Sequence, residues 1–290
     1  MEALLGGSAF LATSALIAWG GSVAATAWEA LHPPRRTVGW ALARGFACDP
    51  AAMGLFARET SLTIRGSTID TWQIDLRSEG VDVLLLHGYA RSRIDSLRRV
   101  EPWLPLARSL TLLDLPGHGE ARGAGTTLGT HEPALIAQLA EQLHLDRLIL
   151  VGHSLGAVIA IRSALEPTLK PRVRGVVAIA PYERLATPIG ARLDSRGMPR
   201  APLLRPSIAL LRCLGVREVP TSESAAQLEV PLGILTGTQD PTSPVSDAMC
   251  IAARAPKSIV RTIEGGCHDD LWIVGAAAYS ELAQQMARDA

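Results

Sequence analysis

Residues Val151–Ile161, VGHSLGAVIAI, decide the fold of this chain, because they place a serine between two glycines where an apolar run becomes a helical pattern. Residues 148–151 predict a buried strand, and the apolar residues after Gly156 have helical spacing. The pentapeptide 152–156 fits G-x-S-x-G, whose sharp strand-to-helix turn exposes the serine hydroxyl. Gly152 and Gly156 are expected there because larger side chains would collide with neighbouring backbone. We therefore predict Ser154 to be a nucleophile at the N-terminus of a helix, where negative charge is stabilised.

Strand and helix signals alternate on both sides of this turn. Short apolar runs of the kind found in strands buried on both faces occur at 81–86, 109–113, 147–151, 175–179, 231–235 and 258–263. An alternating pattern at 61–64 and 71–76 predicts a hairpin before them. Helical patterns fall at about 93–109, 132–143, 155–165, 244–255 and 275–287. This alternation predicts an α/β fold with a mostly parallel sheet and helices on both faces.

Residues 182–227 interrupt the alternation, since they carry no strand signal and several prolines and arginines. The segment is too long for an ordinary connection, and we interpret it as a short cap insertion. A surface excursion without a role is the alternative. The predicted organisation is an N-terminal segment 1–36, a connecting segment 37–60 and an α/β domain 61–290 that carries the cap insertion.

Composition narrows the function classes. The 290 residues carry equal numbers of basic and acidic side chains, so the sequence lacks the basic footprint of a nucleic-acid partner. The four cysteines have no C-x-x-C spacing, which argues against a metal site, and the glycine-rich stretch 123–129 lacks the GK[ST] of a phosphate loop.

A serine nucleophile needs a base, and His268 is the candidate. It is the histidine that follows the last predicted strand, in IEGGCHDDLW, where a loop could return it to the serine. The acid that orients it is predicted to be Asp240 in LTGTQDPTSP, just after the strand 231–235. Along the chain, the order Ser154, Asp240, His268 is the one found in folds that place the nucleophile at a strand–turn–helix motif.

An oxyanion formed on the substrate needs two hydrogen-bond donors. One is predicted to be the backbone N–H of Leu155. The other is expected in the loop after the strand 81–86, which reads His87-Gly88-Tyr89-Ala90, and we choose the N–H of Tyr89, with Gly88 as a further motif glycine.

These motifs together resemble the α/β-hydrolase fold family of serine esterases and lipases. The resemblance runs from about Val81 to Trp272 through LLLHGYA, LLDLPGHGEA, LVGHSLGA, LTGTQDP and EGGCH in family order. It implies an eight-stranded sheet with the cap after the sixth strand. The family often has a serine two residues after GHG. Here that residue is Ala121, which puts a hydrogen bond of that turn in doubt but not the triad.

Residues 3–28 carry no charge and would span roughly 39 Å as a helix, enough for a bilayer core of about 30 Å. HPPRR follows and adds positive charge. We therefore predict an N-terminal transmembrane helix in contact with the lipid bilayer, and a single-pass membrane protein with its catalytic domain in the cytoplasm. The alternatives are a cleaved signal peptide, which implies a secreted or periplasmic protein, and a helix docked on a folded domain.

The sequence predicts a serine hydrolase that cleaves carboxylic esters of small-molecule, apolar or lipid-like substrates without a metal or organic cofactor. Thioester or amide hydrolysis, acyl transfer and perhydrolysis use the same triad and stay open. A catalytically silent binding protein on this fold is the rival from another class. The oligomeric state is left open.

Overall fold

One eight-stranded sheet organises the chain, and the computed structural model describes residues 2–290, with side chains from residue 13 onward. The strands are β1 (Arg58–Ile64), β2 (Ser67–Asp75), β3 (Val81–Leu86), β4 (Ala107–Leu113), β5 (Leu148–His153), β6 (Val173–Ile179), β7 (Leu232–Gly237) and β8 (Ser258–Ile263). Their order is β1-β2-β4-β3-β5-β6-β7-β8. The β1–β2 and β2–β4 pairs are antiparallel and all later pairs are parallel. The predicted eight-stranded, mostly parallel sheet is confirmed.

Helices flank this sheet. They are α1 (Glu2–Leu31), α2 (Val38–Leu42), α3 (Arg93–Ser96), α4 (Glu132–Gln142), α5 (Leu155–Ser163), α6 (Ala186–Ser195), α7 (Arg200–Cys213), α8 (Thr221–Ala225), α9 (Val245–Arg254), α10 (Leu271–Val274) and α11 (Ala276–Arg288). Short 3₁₀ turns occupy Pro50–Met53, Leu97–Arg99, Glu101–Trp103 and Lys170–Arg172.

Strand β3 shows why the central strands are mostly apolar. Every residue of VDVLLL is buried. Successive side chains of a strand point to opposite faces, so Leu84 and Leu86 enter one core cluster while Val83 and Leu85 enter the other. The first cluster also holds residues of α1, α4, α5, α8 and α9, and the second holds residues of α2, α3, α10 and α11. Helices therefore cover both faces, as predicted.

The segment between β6 and β7 contains α6 and α7, which we call the cap helices, followed by α8. Cap residues Leu193 and Leu203 form a small apolar cluster with Val23 of α1. The cap helices therefore pack against the N-terminal helix, as well as extending from the sheet.

The N-terminal helix does not behave as predicted. In the described part of the chain, no helix has the length and apolar character that a membrane crossing requires. The predicted transmembrane helix, its contact with the bilayer and the single-pass membrane localisation are therefore wrong. The side chains of residues 3–12, part of the predicted span 3–28, lie outside the described residues.

Packing of the last turns of α1 explains the error. Val23, Ala27 and Ala30 are buried on one side of the helix, against the cap helices and the first core cluster. The indole N–H of Trp19 donates to the carbonyl of Pro202 at 2.7 Å. The apolar residues that suggested a lipid-facing helix therefore include a stripe that contacts protein, with spacings of four and three residues along the helix.

Candidate active site

Ser154 lies at the turn between β5 and α5. Its backbone has φ 53° and ψ −115°, a left-handed conformation that costs a side chain on the order of 1–3 kcal/mol. The turn is held in place by the Ser154 N–H, which donates to the carbonyl of Ile179 on the neighbouring strand at 2.8 Å. The strain is sustained by sheet packing, and it directs the hydroxyl out of the strand end.

Two glycines leave room for this turn. A Cβ built on Gly152 would lie 2.1 Å from the carbonyl oxygen of Gly156, and one built on Gly156 would lie 2.4 Å from the carbonyl oxygen of Leu86. The start of α5 therefore sits directly against the ends of β5 and β3, and neither position has space for a side chain.

His268 and Asp240 meet at the same edge of the sheet. The Nδ1–H of His268 donates to Oδ2 of Asp240 at 2.7 Å. The other carboxylate oxygen, Oδ1, accepts from the backbone N–H groups of Thr242 at 2.8 Å and Ser243 at 2.9 Å. The Asp240 side chain is fully buried. A fixed carboxylate on Nδ1 orients the imidazole and leaves Nε2 free to accept a proton.

The other nearby carboxylates have different partners. Asp247 accepts from the N–H of Glu183 at 2.9 Å, and Asp270 accepts from the N–H of Cys267 at 2.7 Å. Asp269 forms an ion pair with Arg91. The structure thus brings Asp240 to His268 and places the neighbouring acids elsewhere.

The two predicted oxyanion donors lie beside Ser154. Leu155 is the first residue of α5, and Tyr89 follows Gly88 in the loop after β3. Within residues 13–290, neither backbone N–H has an acceptor. A Cβ on Gly88 would lie 3.3 Å from the Cβ of Ser154, so the loop passes close to the serine because Gly88 lacks a side chain.

A cavity of about 430 Å³ opens at this point. Ser154, His268, Gly88, Tyr89 and Leu155 all line it. Its other walls are mostly apolar, formed by Ala30, Leu128, Tyr182, Leu185, Pro188, Ile189 and Leu193. The predicted residues therefore share one cavity, with the exceptions of Asp240, which lies behind His268, and of Gly152 and Gly156, which lie beneath the turn.

Sequence reasoning missed the polar cluster on the cavity wall. Glu29 of α1 accepts hydrogen bonds from Arg192 of α6 at 2.9 Å and from Arg196, and hydrogen bonding from Arg196 lowers the pKa of Glu29. The guanidinium of Arg192 also lies 4.4 Å from the centre of the Tyr89 ring. These contacts join residues more than 100 positions apart in sequence, and no local pattern indicates them.

Three buried histidines contact the loops that carry the site residues. The Nε2–H of His153 donates to the carbonyl of His268 at 2.9 Å. The Nδ1–H of His87 donates to the carbonyl of Gly88 at 2.8 Å, while the N–H of Leu115 donates to Nε2 of His87 at 2.9 Å. The ring of His118 lies edge-on to those of His87 and Tyr89. The loop of His268 and the loop of Gly88 are therefore each hydrogen-bonded to a buried imidazole.

Burial favours the neutral form of these imidazoles at neutral pH. Burial lowers the pKa of His87 and His153 well below the ordinary value, and it lowers the pKa of His118 to about 4. Charge on any of them would be desolvated without a carboxylate partner.

Acidification is expected to destabilise the protein through His118. Its folded pKa of about 4 lies below the ordinary 6.5, so the stability it contributes is complete above about pH 6.5 and is lost as the pH falls toward 4. The loss from this residue is about 1.4 kcal/mol per pH unit. His118→Asn, which keeps a donor for the carbonyl of Pro116, should flatten the pH dependence of the unfolding free energy by that amount. Urea unfolding at pH 7, 6 and 5 measures it.

His144→Asn is the matched control at an exposed position. A pH slope of His118→Asn equal to that of the wild type would mean that His118 titrates normally in the folded protein.

Comparisons with known proteins agree with this fold. The model of a family described as alpha/beta hydrolase matches residues 83–224, which include the Ser154 turn. The magnesium-chelatase 30 kDa subunit of Rhodobacter capsulatus is 30% identical over 154 residues, covering 52% of this chain and 54% of that protein. The chain thus spans about half the length of that relative.

Two further proteins cover more of the chain. A pimeloyl-[acyl-carrier protein] methyl ester esterase of Xanthomonas campestris pv. campestris is 27% identical over 242 residues, covering 67% of this chain and 90% of that protein. An esterase structure from Pyrococcus furiosus superposes with a TM-score of 0.70 at 19% identity, covering 89% of this chain and 97% of its own. At that identity the likeness shows the same fold.

Proposed function

We propose that this chain, which belongs to the α/β-hydrolase family and is an esterase-like hydrolase, cleaves carboxylic esters through Ser154, His268 and Asp240. The observation that carries the proposal is the hydrogen bond between His268 and buried Asp240 beside a serine held in a strained turn. Ser154 and His268 line one cavity, and Asp240 lies behind His268. A serine that only stabilised the fold would require neither a strained backbone nor an imidazole oriented by a buried carboxylate nearby.

The first half of the reaction forms an acyl-enzyme. Ser154 Oγ attacks the ester carbonyl carbon while His268 Nε2 accepts its proton. The negative charge that develops on the carbonyl oxygen is held by the free amides of Tyr89 and Leu155 and by the N-terminus of α5. As the tetrahedral intermediate collapses, the protonated imidazole gives its proton to the leaving alkoxide, and the alcohol departs.

The second half regenerates the enzyme. His268 Nε2 takes a proton from water, whose oxygen attacks the acyl carbon, and the same amides hold the second oxyanion. Collapse breaks the bond to Ser154 Oγ, which recovers its proton from His268, and the carboxylic acid is released. Asp240 keeps the imidazole in one tautomer and stabilises its charged form throughout.

The apolar walls of the cavity favour an apolar acyl chain, because burying hydrocarbon contributes about 25 cal/mol per Å². A series of p-nitrophenyl esters from acetate to decanoate tests this, and kcat/KM should rise beyond acetate. Far better turnover of acetate than of the longer chains would contradict an apolar substrate.

Covalent labelling is the experiment that tests the proposed chemistry. A fluorophosphonate incubated with the folded protein should add to one peptide, the one containing Ser154, as read by mass spectrometry. Product analysis with competing alcohol, amine and peroxide acceptors then separates hydrolysis from acyl transfer. If the folded protein is neither labelled nor able to release p-nitrophenol, the alternative hypothesis of a catalytically silent binding protein is favoured.

Asp240→Asn is expected to lower kcat by on the order of 10⁴-fold, because the amide can donate to Nδ1 and thereby hold the wrong imidazole tautomer. The comparison variant is Asp269→Asn, which changes a carboxylate next to His268 that pairs with Arg91 instead. Steady-state kinetics on p-nitrophenyl butyrate measures both. A larger loss in Asp269→Asn than in Asp240→Asn would reassign the acid.

A further inference from the structure

The N-terminal helix forms part of the cavity wall. Thr26, Glu29 and Ala30 of α1 line the same cavity as Ser154. Residues three and four apart share one helix face, so these side chains make one continuous surface. Ala30 is 8% exposed, and Thr26 is partly buried. The wall is thus built from a segment far outside the residues that carry the hydrolase motifs.

Three parts of the protein are joined at this wall. The carboxylate of Glu29 binds Arg192 and Arg196 of the cap region, while the Tyr89 hydroxyl donates to the backbone carbonyl of Glu29. Tyr89 also belongs to the loop beside the nucleophile. The position of α1 is therefore fixed relative to both the cap and the reacting serine, as a wall that discriminates between substrates must be.

Charge at the wall depends on Glu29. Arg192 and Arg196 both line the cavity, and both direct a guanidinium group to the single carboxylate of Glu29. The remaining arginine of the cavity, Arg91, is paired with Asp269. Without the Glu29 carboxylate, two guanidinium groups would be free to bind an anionic group on a substrate.

We propose that Glu29 and Ala30 determine substrate specificity, selecting esters whose acyl chain is uncharged and packs against α1. Glu29 occupies the arginine pair and so denies it to a terminal carboxylate on the acyl chain. Ala30, the small buried residue next to it, leaves room for the chain itself. This inference rests on the proposed ester hydrolysis and adds the selecting residues to it.

Charge selection is tested with two substrates of equal acyl length, p-nitrophenyl hexanoate and mono-p-nitrophenyl adipate. Wild type should prefer the hexanoate. Glu29→Gln should raise kcat/KM for the adipate relative to the hexanoate at least tenfold, through a lower KM for the adipate. Glu229→Gln, which removes an exposed carboxylate paired with Lys170, is the matched control and should keep the wild-type ratio.

Arg196→Gln covers the case in which Glu29→Gln does not fold. It leaves Glu29 with one arginine and should move the ratio further toward the hexanoate. Ratios within twofold of wild type in variants with native circular dichroism would overturn the role of Glu29.

Length selection is tested with Ala30→Leu and Thr26→Leu, which add side-chain volume at the wall. Each should lower kcat/KM for the decanoate at least tenfold relative to the acetate. Ala24→Leu makes the same change on the exposed face of the helix and should keep the wild-type profile. An unchanged length profile in both wall variants would show that α1 does not limit the acyl chain.

The two proposals fail differently. Wild-type protein that neither labels with a fluorophosphonate nor hydrolyses any of these esters would refute the proposed function. Wild-type protein that hydrolyses them while the wall variants leave both ratios unmoved would refute the specificity inference alone.

Discussion

Ser154→Ala is expected to lower kcat for ester hydrolysis by on the order of 10⁵- to 10⁶-fold and to abolish labelling by a fluorophosphonate. The variant keeps the cavity, the two amides and His268, so substrate still binds, but it lacks the oxygen that forms the acyl-enzyme. Because alanine removes one atom at a site that needs no side-chain volume, the fold should be retained. Burst kinetics with p-nitrophenyl butyrate, checked by mass spectrometry of the protein, measures the loss.

Ser195→Ala is the control for this experiment. Ser195 lines the same cavity, but its hydroxyl donates to the carbonyl of Arg192 at 2.9 Å. The control should label at the wild-type rate. Labelling that persists in Ser154→Ala and disappears in Ser195→Ala would place the nucleophile on the cap and overturn the proposed mechanism.

The sheet could be predicted because its signals are local. The Ser154 turn is encoded within five residues, and most parallel strands are short apolar runs whose two faces are both buried, as in β3, whereas the edge strand β8 is largely half-buried. Parallel strands place their carboxyl ends at one edge. Residues that follow β3, β5, β7 and β8 therefore meet in space, although they are widely separated in sequence.

The role of α1 could not be predicted because its signal is ambiguous. A run of Ala, Gly, Leu, Ile and Trp suits a lipid-facing helix and a helix packed on small residues equally well. What distinguishes them is the partner: Val23 meets Leu193 and Leu203, and Glu29 meets Arg192. These contacts are set by tertiary structure.

The positions of two prolines explain why the helix predicted at 93–109 does not form in full. The pattern at 93–109 predicts one long helix, but the chain forms α3 at Arg93–Ser96 and then 3₁₀ turns before β4 starts at Ala107. Pro102 and Pro105 lack the N–H that an α-helix needs in its interior. The apolar spacing of 93–109 predicts a helix only if these two prolines are ignored.

Gly152→Ala is expected to destabilise the protein by more than about 4 kcal/mol, a large share of the typical stability of a folded domain. The added Cβ would stand 2.1 Å from the carbonyl oxygen of Gly156, which belongs to α5 and cannot rotate away. Relief requires α5 to move off the sheet, and residues of α5, β5 and β6 pack together in the first core cluster. Soluble yield and the midpoint of guanidinium unfolding measure the effect.

Gly20→Ala supplies the matched control, because the same methyl group added at that position of α1 has no atom within 4 Å. Alanine in a helix interior should raise stability there by about 0.5–1 kcal/mol, since it restricts the unfolded chain more than glycine does. If the same glycine-to-alanine change lowers stability at Gly152 and raises it at Gly20, the cost at Gly152 comes from the close approach of α5 to the strand end. That approach also sets the turn carrying Ser154, so a Gly152→Ala protein with native stability and native ester hydrolysis would contradict both the packing argument and the dependence of the site on it.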